Sequence, residues 1–146
     1  FITSERRLPV IFEKYRIIIK VNEIAHALYY ADFLIADSQT MSAEAAVLGT
    51  PYVRFNDFVG KISYLEELEQ KYKLGFGIET KDKKKLFKTV ADLLENRNLK
   101  EEWLVKKEKM LSEKIDMTSF MVWFFENYPK SMEIMHKNPN YQNKFK

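Results

Sequence analysis

Phe33-Leu34-Ile35-Ala36-Asp37-Ser38-Gln39-Thr40-Met41-Ser42-Ala43-Glu44-Ala45-Ala46-Val47-Leu48-Gly49-Thr50-Pro51-Tyr52-Val53-Arg54-Phe55 is the stretch that decides the fold. Phe33 to Ala36 is a short apolar run of strand length. It stops at a polar cluster, Asp37 to Thr40, whose side chains suit a helix start. Met41 to Leu48 then reads as a helix, and Gly49 fits the left-handed residue that closes one. Pro51 opens a second strand, Tyr52 to Phe55, and Asn56-Asp57 begins a loop. Strand, helix and strand in this order predict two parallel strands joined by a crossover.

The alternation continues on both sides. Upstream, Phe1-Ile2-Thr3 and the β-branched run Arg16-Ile17-Ile18-Ile19 read as strands. Asn22 is placed to cap a helix whose apolar positions are Ile24, Ala27, Leu28 and Ala31. Downstream, the pattern predicts a helix over 63–72, a strand at Phe76-Gly77-Ile78, and a helix capped by Asp82 that runs to Leu94. Two more helical stretches follow, 99–114 and 118–137, the second kinked or divided at Pro129. The polar tail from Asn138 reads as frayed. The fold class is therefore α/β: a Rossmann-like parallel sheet flanked by helices over residues 1–95, with a helical C-terminal extension over 96–146.

Composition narrows the function. The chain has 146 residues, of which 46% are apolar and 31% charged, as in a globular domain with a sizeable core. A net charge of +3, with both signs interspersed, gives no electrostatic footprint for nucleic acid. The absence of cysteine excludes disulfides and thiolate metal sites, and it fits a reducing compartment, so the expected location is cytoplasmic. No apolar run approaches the ~20 residues of a membrane span. The chain begins on Phe1, already strand-like, and is expected to start inside a larger protein.

In open α/β sheets ligands bind beyond the carboxyl ends of the strands. Asp37 to Thr40 is the most polar strand end, and it runs directly into a helix. Helix starts carry unpaired N–H groups and a partial positive charge, and both match phosphate. Ser38 and Thr40 add hydroxyls. Ala43, Ala45 and Ala46 allow close approach to the sheet. Glu44 stands out in this small, apolar helix, four residues after Thr40 and hence on its face. A carboxylate there is able to accept both vicinal hydroxyls of a ribose. The same residues also read more plainly, with Ser38 or Thr40 a simple cap and Glu44 an acid favoured by the helix dipole.

Residues 37–51 resemble the C-terminal-domain signature of GT-B proteins, in particular the Asp-Ser-Gly-Gly…Glu-Glu-Ala…Leu-Gly-Lys-Pro stretch of UDP-N-acetylglucosamine 2-epimerases. Spacing from Asp37 to Glu44, and on to Leu48-Gly49-Thr50-Pro51, agrees without a gap. The chain is also similar to an uncharacterised family of bacterial and archaeal GT-B-like proteins. That likeness runs through Ala31-Asp32, Asp37-Ser38-x-Thr40-Met41, Glu44 to Pro51, Arg54-Phe55-Asn56, Phe58-Val59-Gly60, Leu65 to Glu69 and Phe120 to Phe124.

The resemblance implies the C-terminal half of a GT-B fold, from a glycosyltransferase or a nucleotide-sugar epimerase-like enzyme. A UDP-sugar is the expected substrate, with no cofactor and no metal required. Ser38 and the amides of Gln39 and Thr40 would contact the diphosphate, and Glu44 the ribose. Lys20 and Val21 would lie against the base, and Arg54 and Asn56 would face the sugar or phosphate. An N-terminal domain would be the partner across the cleft, and this segment alone is expected to be inactive. Gln39 and Thr40 stand where the epimerases carry two glycines, a departure that bears on close backbone approach to pyrophosphate. A non-catalytic GT-B-like binding module is the alternative.

Other polar groups read blandly. His26 and His136 lack metal-ligand spacing. Lys81, Lys83, Lys84, Lys85 and Lys88 read as a solvated face, and Glu5-Arg6-Arg7 as a surface turn. Phe120, Trp123, Phe124 and Tyr128 form an apolar helix face that reads as core. No base or nucleophile is identified.

Overall fold

A computed structural model describes every residue from Phe1 to Lys146. In chain order the elements are α1 (Val10–Glu13), a 3-10 turn (Val21–Glu23), α2 (Ile24–Tyr30), β1 (Leu34–Ala36), α3 (Gln39–Leu48) and β2 (Tyr52–Phe55). Then come α4 (Ser63–Glu66), a π-helical turn (Glu67–Lys71), β3 (Gly75–Ile78), α5 (Lys83–Glu95) and α6 (Leu99–Glu113). The chain closes with α7 (Met117–Glu126), α8 (Lys130–Lys137) and a 3-10 segment (Pro139–Phe145). The sheet has three parallel strands in the order β1-β2-β3, so all three carboxyl ends share one edge.

The elements nearest the deciding stretch form for local reasons. The Ser38 side chain accepts from the Met41 amide, and Gly49 closes α3 at φ 83°. The Asp82 side chain likewise accepts from Lys85 N and starts α5. Ala45 and Ala46 are fully buried, which lets α3 lie close to β1 and β2. The core is a 13-residue cluster that joins α3, β2, the α4–π segment, β3, α5 and α6. Trp103 of α6 belongs to it and donates its indole N–H to the Leu74 carbonyl at 2.7 Å.

Four expectations are corrected. Phe1–Thr3 and Arg16–Ile19 meet only through one parallel bridge, Ile2 to Arg16, and do not join the sheet. Their β-branched pattern lacks the cover that a buried strand needs, and Ile18 is 94% exposed. Asn22 does not cap α2: it sits inside the 3-10 turn, and of the apolar positions only Leu28 is fully buried. The tail after Asn138 is not frayed. Phe120 and Trp123 of α7 pack against Tyr141 and Phe145 of the last 3-10 segment, with Trp123 stacked on Tyr141 at 4.8 Å. Aromatic burial outweighs the segment's polar composition there. The aromatic face expected as core is not part of it: Phe120, Trp123 and Phe124 are half-buried and lie outside the 13-residue cluster, and Tyr128 is 60% exposed. The helical region does divide at Pro129, between α7 and α8. No helix is long and apolar enough to cross a membrane.

Candidate functional site at the carboxyl edge of the sheet

The edge is assembled from the loops that leave the three strands. Asp37 and Ser38 follow β1. The Ser38 hydroxyl accepts from Met41 N at 3.3 Å, and the Ser38 carbonyl accepts the Ser42 hydroxyl at 2.7 Å. Gln39 and Thr40 are the first residues of α3, where amides have no partner one turn back. Ser38 and Gln39 are half-buried, and Thr40 is exposed.

One turn along, Glu44 is exposed and shares an open stripe with Thr40, Ala43 and Val47. The stripe forms the floor of a shallow depression of about 400 Å³, which Ala25 of α2 and Tyr64 of α4 help to line. That volume lies within the usual range for small-ligand clefts. Tyr64 is 48% exposed and offers the depression an aromatic ring. Lys20 and Val21 are exposed and lead through the 3-10 turn into α2, upstream of Ala25.

Arg54 and Asn56 are placed differently from the expectation that they face a ligand. Arg54 is 0% exposed. Its Nε and Nη2 donate to the two carboxylate oxygens of Glu69 at 2.9 and 3.0 Å, a bidentate pair. Tyr52, two residues earlier and so on the same face of β2, donates its hydroxyl to Glu69 at 3.3 Å. Burial, then the Glu69 carboxylate, pushes the Tyr52 phenol far above its ordinary pKa, so it stays a donor.

The third Arg54 nitrogen, Nη1, donates to Asn56 Oδ1 at 3.0 Å, and Asn56 Nδ2 donates to the Asp37 carbonyl at 2.7 Å. Asn56 Oδ1 also accepts from Phe58 N at 3.0 Å. A buried polar chain thus ties the loop after β2 to the loop after β1. The next residue, Asp57, accepts from the Thr80 hydroxyl and from Thr80 N, and so reaches the loop after β3. The Thr80 hydroxyl bond, then its amide bond, holds the Asp57 carboxyl below its ordinary range.

The structure therefore groups Thr40 and Glu44 in one depression, with Ser38 at its helix start. Lys20 and Val21 are not among the residues that line it, and Arg54 and Asn56 lie beneath the edge. Glu69, Tyr64 and Thr80 were not singled out from sequence. Arg54 carried a signal for Glu69, because a cation in an otherwise apolar strand needs a buried carboxylate. Tyr64 and Thr80 carry no such signal. His26, His136 and the lysines at 81, 83, 84, 85 and 88 are exposed. No three His, Asp or Glu side chains converge as metal ligands. Comparison with protein-family models, with curated proteins and with solved structures finds no match for this chain.

Proposed function

We propose that the carboxyl edge binds the nucleoside diphosphate of a nucleotide sugar, with a UDP-sugar as the substrate. The observation that supports this is the exposed Glu44 carboxylate, one turn from Thr40 in the same open depression and above a Ser38-capped helix start. The helix start suits the diphosphate, Glu44 suits the ribose hydroxyls, and the Tyr64 ring offers a planar wall for stacking.

In this reading the chain is the donor-binding half of a GT-B-type glycosyltransferase or a 2-epimerase-like enzyme. A second domain would bring the catalytic groups, and the helix dipole with its hydroxyl donors would stabilise a leaving diphosphate. A non-catalytic binding module is a second reading. It is favoured by the engagement of Arg54 with Glu69 and Asn56, which leaves that cation unavailable to a leaving group.

Backbone amide NMR titration with UDP, and with CDP, GDP and ADP as controls, tests the binding site. Shifts confined to residues 39–44 and the Lys20 turn, strongest for UDP, are the expected result. An unshifted spectrum at ~1 mM UDP, weaker than about −4 kcal/mol of binding, sinks the nucleotide reading for this chain. Turnover of a UDP-sugar by a protein that joins this chain to a second domain separates the enzyme from the module.

A further inference from the structure

The polar chain beneath the edge is a costly way to hold a sheet together. Buried ion pairs such as Arg54–Glu69 are often replaced by packed apolar side chains at no loss of stability. What the chain has that apolar residues lack is an end point. Glu69 fixes the Arg54 guanidinium with two bonds, and the third nitrogen, Nη1, donates to Asn56 Oδ1. That oxygen accepts Phe58 N as well. Two donors on one atom settle which end of the amide is oxygen, so Nδ2 is obliged to point at the Asp37 carbonyl.

The Asp37 carbonyl lies in the same planar peptide as the Ser38 nitrogen. Fixing it restricts the backbone on both sides of that plane. Ser38 is then set in its extended conformation, φ −73° and ψ 129°, from which its hydroxyl caps Met41. Asn56 is only 8% exposed, so water competes weakly for these bonds.

We propose that Asn56 is a positioning residue: held by the Glu69–Arg54 pair, it locks the Asp37–Ser38 peptide and so presets the turn that carries Ser38 and leads to Thr40 and Glu44. That this presetting serves a nucleoside diphosphate rests on the function proposed above, whereas the presetting itself does not.

Asn56→Asp tests it. The substitution keeps the size and the acceptor for Arg54 and Phe58, and it turns the donor toward Asp37 into an oxygen. The comparison variant is Leu93→Ala, a core truncation in α5 outside the polar chain. With both brought to equal global stability by temperature, Asn56→Asp is expected to speed amide exchange at Met41 and Ser42 about tenfold over Leu93→Ala and to shift the resonances of residues 37–41. Equal exchange and equal shifts in the two variants overturn the proposal, because Asn56 would then act on stability alone. Asn56→Ser, smaller and uncharged, carries the same readout where Asn56→Asp does not fold. UDP titration of the parent is read separately: its failure ends the nucleotide reading and leaves the exchange result to decide the role of Asn56.

Discussion

Ser38, Glu44 and Gly49 lie on one short helix, yet each answers to a different force. Ser38→Ala removes the hydroxyl that accepts Met41 N, and is expected to cost ~1 kcal/mol in chemical denaturation. Gly49→Ala forces a Cβ into a residue at φ 83°, with the Lys107 side chain 3.1 Å away. The lysine is able to move aside but the backbone is not, so the expected cost is about 1–2 kcal/mol. Glu44 is exposed and receives no hydrogen bond from the rest of the chain, so Glu44→Ala is expected to leave stability within about 0.5 kcal/mol. Under the function proposed above its effect is on binding: about a tenfold or greater loss of UDP affinity is expected, since hydrogen bonds to a charged group are worth about 1.5–3 kcal/mol. Calorimetric titration that finds equal affinity in mutant and parent removes Glu44 from the ribose. Ser38 and Gly49 were legible in the sequence because capping is decided within a few residues of the chain. Tyr64 was not, because its place beside Thr40 and Glu44 depends on how α4 is laid down after β2.

The elements show where local pattern stops being enough. β1, α3, β2, β3 and α5 fall where their sequences place them, each with a cap, a closing residue or a packed neighbour to match. Residues 16–19 have the same β-branched character and form no ladder, because a strand is a property of two segments and their only bridge is to Ile2. The Arg54–Glu69 pair makes the same point inside the core. Glu69 lies in the π-helical turn, where an i→i+5 bond pattern changes the face that a helical wheel assigns. Gly77 completes the arrangement, since a Cβ there would stand 2.3 Å from Glu69 Oε2. Glu69→Ala takes both close hydrogen bonds from a buried guanidinium and leaves it only the longer pair with Glu66 Oε1 at 3.7 Å, so it is expected to cost about 3 kcal/mol. The double replacement Arg54→Met with Glu69→Leu is expected to cost much less than the two single changes together. A double-mutant cycle by urea unfolding measures the difference, and strict additivity would mean that the pair does not act as a unit.

At the scale of the whole molecule, the π-helical turn and α6 share the apolar core, and charges at the surface link them along its rim. Lys71 pairs with Glu113, Lys114 pairs with Glu67 at 2.7 Å, and Tyr72 donates to Glu113 at 2.9 Å. The Lys71 and Tyr72 bonds hold the Glu113 carboxyl below its ordinary 4.5, and the Lys114 bond does the same for Glu67. Asp57 and Asp116 are likewise lowered, first by hydroxyl bonds from Thr80 and Ser119. A carboxyl whose folded pKa is depressed contributes stability above its unfolded pKa and loses it as pH falls through the folded value. Lys71 is raised, first by Glu113 and then by Tyr72, so its contribution is present below its ordinary 10.5 and is lost as pH rises past that. Stability is therefore expected to be flat through neutral pH and to fall below about pH 4. These groups face solvent, so the acid-side loss should also shrink at ~0.5 M salt. The double variant Glu67→Gln with Glu113→Gln removes both depressed carboxyls on this contact, and its melting temperature at neutral pH should lie below the parent's. Between pH 5 and about pH 3 its melting temperature should fall less steeply. Circular dichroism melts across that window decide the matter: parallel curves for variant and parent would place the acid sensitivity elsewhere, with Asp57 and Asp116 the next carboxyls to replace.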